Sequence, residues 1–144
     1  MKFSRNTDAW RFFAACCLAC MFSASALAQD TIASGAWTKK KSTIGGTWSI
    51  VNDNGQRKLR FDEHFKAKKG PDIKVFLSPT PVDDLTGKNA TKGSLFLGEL
   101  ESFKGAQELS IPADADLSGY ASIIIHCDEY SMLWGVSALA VHAQ

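Results

Sequence analysis

The chain is expected to be all-β, a single antiparallel β-sandwich or barrel-like domain, and three observations lead there. Short apolar runs of strand length follow one another at close spacing. Turn residues such as Asn54-Gly55 and Gly70-Pro71-Asp72 stand between them. No window sustains the apolar period of a helix.

The N-terminus is read apart from the fold. Lys2, Arg5 and Arg11 precede the apolar run FFAACCLACMFSASALA, and Ala26-Leu27-Ala28 has the small-x-small form of a signal-peptidase site. Residues 1–28 are therefore expected to be a secretory signal peptide, cleaved near Ala28, and residues 29–144 a single β-rich domain outside the cytoplasm, periplasmic or secreted. The run is interrupted by serines and falls short of the roughly 20 apolar residues that a bilayer span requires, so a retained anchor is disfavoured. Cys17-Leu18-Ala19-Cys20 raises the question of lipidation, but Cys17 stands where a bacterial lipobox has Leu, and the apolar run continues past Cys20.

The elements follow in order from Thr47. TWSIV puts Trp48 and Ile50 on one face, NDNG at 52–55 supplies turn chemistry, and RKLRF puts Leu59 and Phe61 on one face again, which makes a hairpin. After the punctuation of Gly70-Pro71-Asp72, IKVFL alternates Ile73, Val75 and Leu77 with Lys74 and Phe76. Residues 78–94, SPTPVDDLTGKNATKGS, have no apolar period and are expected to be a long surface loop. Short strands come next at LFLGEL and QELSI, with SFKGA as the turn between them. YASIIIHC and MLWGVSALAV are apolar on both parities, as central strands covered on both faces must be.

Over residues 29–144 there are 13 basic and 14 acidic residues, a net charge of about −1. Such a balance lacks the basic field that phosphate neutralisation needs, so nucleic acid is not expected as a partner. The basic clusters Lys39-Lys40-Lys41 and Lys66-Ala67-Lys68-Lys69 read as solvated faces. A length of 116 residues suffices for one core without disulfide staples. Cys127 is the one cysteine left once Cys16, Cys17 and Cys20 depart with the leader, and a leftover cysteine in an exported chain is a free thiol, a ligand or one end of an intermolecular bond.

The ordered set of GGTWSIV, KLRFDEHF with KKGPDIKVFLS, FLGELESFKGAQELSIP and YASIIIHCDEYSMLWGVSAL resembles the DM-thirteen domain over roughly residues 35–141. That is an electron-transfer-type module found in secreted bacterial proteins and beside DOMON and cytochrome b-type redox domains. The resemblance implies a β-rich extracytoplasmic domain whose signature cysteine, here Cys127, serves redox chemistry as a bare thiol or as a ligand to a prosthetic group such as haem, with a redox protein as partner. The family usually has an aromatic residue just before that cysteine; this chain has His126, a candidate second ligand.

The residues themselves favour less. In a regular strand neighbouring side chains point to opposite faces, so His126 and Cys127 cannot meet over one substrate or metal without a bulge. With Asp128 and Glu129 as the turn, Cys127 would face Tyr130, and His142 would lie some 40 Å further along, a tail residue. His64 reads as a solvated turn histidine. Asp128 and Glu129 directly after the thiol oppose its ionisation, and no Cys-x-x-Cys motif is present for exchange. Trp134, Tyr130, Met132 and Phe103 could wall a haem but read equally as core. Three scattered histidines make no metal motif, and no metal is expected. Asp83-Asp84 and Asp114-x-Asp116 lack EF-hand spacing, and Asn89-Ala90-Thr91 fits the glycosylation acceptor pattern.

Two functions stay open: a redox or electron-transfer accessory centred on Cys127, or a non-catalytic module that binds a partner protein or surface polymer through residues 78–94, with Cys127 as core packing. No motif of a turnover enzyme is present.

Overall fold

Residues 30–141 are described by a computed structural model; the leader read in residues 1–28 and His142 lie outside the described residues. The strands are β1 (Asp30–Ala36), β2 (Thr38–Lys39), β3 (Ile44–Gly45), β4 (Thr47–Asp53), β5 (Gln56–Phe61), β6 (Lys66–Ala67), β7 (Ile73–Ser78), β8 (Leu95–Glu99), β9 (Gln107–Ile111), β10 (Ser122–Cys127) and β11 (Met132–Ala138). They form two antiparallel sheets, β1-β4-β5-β9 and β2-β11-β10-β7-β8, with a small β3-β6 ribbon at one end. Of the two architectures expected, the sandwich is the one that forms.

The β4-β5 hairpin turns where its sequence requires. Asn54 and Gly55 both have positive φ, at 51° and 83°, the backbone of a two-residue turn whose twist matches the strands it joins. Cross-strand pairs Trp48 with Phe61 and Ile50 with Leu59 then place four large side chains on the inner face. The opposing sheet supplies Ile73, Val75, Leu77, Ile123, Ile125 and Cys127 to the same core. Fully burying each such aliphatic side chain is worth about 1.5–3 kcal/mol, so alternation along these strands fixes their register.

β10 is buried at all six positions, and β11 and β7 flank it, as the doubly apolar runs led us to expect. Its outer face is covered by the 79–94 segment. Phe76, Ile124, Leu133 and Val136 meet Leu85 and Ala90 there, with Val82 packed alongside in a short 3-10 turn (Val82–Asp84). The expectation of a plain surface loop is corrected accordingly. Single apolar residues at 82, 85 and 90 show no strand or helix period, yet they make a second core.

Candidate functional site

The site is built where β10 ends. His126 pairs with Lys74 and Cys127 with Ile73 across to β7, while Cys127 faces Met132 on β11. Residues 128–131 form the turn, so Tyr130 belongs to it and is not the partner of Cys127, contrary to the shorter turn expected from the sequence. A register shift lies between Ile125 and His126, yet alternation holds at the pair: Cys127 joins the inner core and His126 the outer face. The two side chains do not form a dyad.

On the inner face Cys127 is 0% exposed and its thiol donates to the carbonyl of Pro71 at 3.2 Å. Its cover is the turn Gly70-Pro71-Asp72. Gly70 lies so close to Trp134 that a Cβ there would fall 2.4 Å from the indole Cη2. Asp72 has a φ of 49°, in the left-handed region that aspartate tolerates better than most residues. Its carbonyl accepts from the Asp128 backbone amide at 3.1 Å, which ties the turn to the end of β10.

On the outer face a chain of polar groups runs away from the same Asp128. One carboxylate oxygen lies 2.6 Å from His126 Nδ1, and the other accepts from Lys74 Nζ at 2.9 Å. Lys74 also pairs with Asp72 at 2.9 Å. His126 is 3% exposed, and its Nε2 is 2.9 Å from the Gly87 carbonyl. A carbonyl can only accept, so Nε2 carries a hydrogen, and one further hydrogen between Nδ1 and Asp128 completes the chain.

The charges follow from these contacts. Partial burial works against ionisation of Asp128, but the hydrogen bonds from Lys74 and His126 outweigh it and hold the carboxyl below its ordinary range. The bonds from Lys74 to Asp128 and to Asp72 hold the ammonium well above the usual lysine value. The carboxylate after the thiol therefore does not act on the sulfur as an isolated charge, because the Lys74 ammonium and the His126 ring hold it on the other face.

The remaining sequence candidates separate. His64 is a solvated side chain, 78% exposed, with Glu63 at 3.6 Å. Trp134 is in the core and Phe103 packs against it, whereas Tyr130 and Met132 are exposed at the turn and wall nothing around the sulfur. Asp116 caps the short 3-10 turn (Leu117–Gly119) through Ser118, and the Asn89 amide donates to the Asp84 carbonyl at 2.9 Å. Among the described residues no three His, Cys, Asp or Glu side chains converge on one point.

A haem or another sulfur-ligated group does not fit at Cys127. The sulfur is sealed, its hydrogen is taken by Pro71, and His126 faces the other way with both ring nitrogens engaged. Sequence reasoning missed Lys74, Asp72, Pro71 and Gly87. One signal was available: Lys74 is a lone charge inside the otherwise apolar IKVFL run, and a charge in a central strand requires a partner.

A family model described as electron transfer DM13 matches residues 37–139. No curated protein and no solved structure matches the chain.

Proposed function

The chain belongs to the electron transfer DM13 family, and we propose that it is an exported redox accessory, periplasmic or secreted, in which Cys127 is the redox-active group. The leader read in residues 1–28 supports export, and no helix among the described residues is long and apolar enough to cross a membrane. One observation carries the reading for the thiol: its cover is a three-residue turn at the rim of the sandwich, closed by few bonds.

Cys127 is the one cysteine among the described residues, so two-electron chemistry there is intermolecular. The Cys127 thiol gives its proton to solvent, and attack of the thiolate on a small disulfide breaks that S–S bond, forms a mixed disulfide and releases one thiolate, which takes up a proton from solvent to leave as a thiol. Incubation with glutathione disulfide tests this by intact mass. Addition of one glutathione to the native protein, absent in Cys127→Ala and faster when the turn is loosened, is the result expected. A thiol that stays unmodified until the whole domain unfolds sinks it.

The complete burial of Cys127 favours a second reading, a non-catalytic binding module with the cysteine as packing. In that case Cys127→Ala changes stability alone and leaves binding of the partner protein or surface polymer unaltered.

A further inference from the structure

The geometry points to a binding site for a small flat aromatic anion, a carboxylate or sulfonate, in the cavity between residues 85–87, the β10-β11 turn and the two lysines that follow Lys39. The cavity has a volume of about 280 Å³. That is just under the roughly 300–1,000 Å³ of drug-sized pockets, which suits a one- or two-ring ligand and excludes a macrocycle.

Its chemistry is mixed in the way such a ligand requires. Lys40 and Lys41 line one side, and neither ammonium has a hydrogen bond or ion pair among the described residues. Their backbone amides are fixed to the carbonyls of Trp134 at 3.0 Å and Leu133 at 3.3 Å, so two uncommitted cations stand on an anchored base. Buried Leu85 and Leu133 make the apolar floor. Met132 and Tyr130 stand at the mouth, 37% and 61% exposed, two of the four large apolar side chains that the described residues leave in water. A thioether and an aromatic ring are good partners for a flat π-system.

Orientation follows from the neighbouring charges. The Glu129 carboxylate beside Tyr130, by its charge and by accepting the phenol hydrogen, raises the phenol above its usual range, so the ring stays neutral. The same carboxylate repels an anion from that end and directs the ligand's charge toward Lys40 and Lys41. Gly87 and Ser131 close the wall backbone to backbone: a Cβ on Gly87 would fall 2.1 Å from the Ser131 carbonyl oxygen, and Ser131 has a φ of 46°. Such strain in a non-glycine residue is often found at functional sites. Because His126 also holds the Gly87 carbonyl, the backbone wall of the cavity is fixed before a ligand arrives, and the ordering cost falls on the exposed side chains at its mouth. The site does not depend on the redox reading of Cys127.

The test is calorimetric titration with naphthalene-2-sulfonate and its neutral counterpart naphthalene-2-methanol, with amide resonances followed by NMR. The sulfonate is expected to bind more tightly, to shift Thr86, Gly87 and Ser131, and to lose about three- to tenfold in affinity in the double variant Lys40→Gln/Lys41→Gln, as two exposed ion pairs allow. Lys68→Gln/Lys69→Gln, at exposed lysines elsewhere, should leave binding unchanged, and Tyr130→Ala should weaken both ligands. Equal affinity for the neutral ligand, retained affinity in the Lys40/Lys41 variant, no binding at all, or shifts confined to the far sheet around Trp48 and Arg60 would each overturn the assignment.

Discussion

The turn at residues 70–72 lies over the Cys127 sulfur, and on the redox reading it should slow the reaction of the thiol. Opening the turn breaks the Asp128 amide bond to the Asp72 carbonyl, the thiol bond to Pro71 and the Lys74–Asp72 ion pair, and separates Gly70 from the Trp134 indole. At about 1 kcal/mol for each hydrogen bond, and less than that for an ion pair with a partly exposed carboxylate, opening costs about 2–3 kcal/mol. The open fraction is then on the order of 10⁻², so a small disulfide reagent such as Ellman's should react about 30- to 150-fold more slowly than with the chain in guanidinium. Gly70→Ala gives the specific control, because its Cβ cannot coexist with Trp134 in place; the turn must shift and the thiol rate should rise toward the denatured value. A native rate within about threefold of the denatured one would mean the sulfur is not covered. A rate unchanged by Gly70→Ala, and equal to that of global unfolding, would mean that the turn is not the gate and that the cysteine is core.

His126→Leu removes a hydrogen bond to an ionised partner and the donor to Gly87, and should cost about 2–3 kcal/mol in urea melts while trypsin cleavage at Lys88 and Lys92 accelerates; unchanged stability would refute the role of the ring as a clasp. Asp128 titrates lower in the folded protein than in the unfolded chain, so the unfolded state binds more protons in acid, and the stabilisation is present above the ordinary carboxylate value of about 3.9 and lost as pH falls through and below it. Asp128→Asn should therefore lower stability at neutral pH and flatten its decline between about pH 5 and 3, measured as guanidinium midpoints; a parallel curve would show that another group carries the acid dependence. Gly135→Ala places a Cβ 2.5 Å from Ile44 Cδ1 and should cost about 1–3 kcal/mol by overpacking, read as a lowered Tm without change of fold.

Much of the sandwich was legible because its strands are strongly patterned. Trp48 and Ile50, Leu59 and Phe61, and the run IIIHC carry their facing in their own letters. β1 was not legible: Asp30–Ala36 is an edge strand of small and polar residues, and only the bonds to β4 make it a strand. The 79–94 segment was misjudged for a related reason. Its folded form rests on isolated contacts, Leu85 and Ala90 into the outer core and Gly87 to His126, and contacts between distant residues leave no local period. At the site, alternation placed His126 and Cys127 on opposite faces. Which distant carbonyls would meet them, Gly87 at 39 residues' separation and Pro71 at 56, depends on the arrangement of loops over the sheet.

Asp128 explains how a histidine and a cysteine on opposite faces can still belong to one bonded network. Its backbone amide holds the turn that seals the sulfur, and its side chain holds His126, which in turn holds the segment over the outer core. Lys74 bridges the two halves, since the same ammonium reaches Asp72 of the turn and Asp128 of the strand end. A turn that opens takes its Asp72 carboxylate away from Lys74, so the remaining Asp128 contact carries the whole ammonium charge and the His126 bond has to share it. Groups that compete for one charge are the ones whose energies fail to add. Cover over the thiol and closure of the far segment are thereby linked through a residue that touches neither the sulfur nor the cavity.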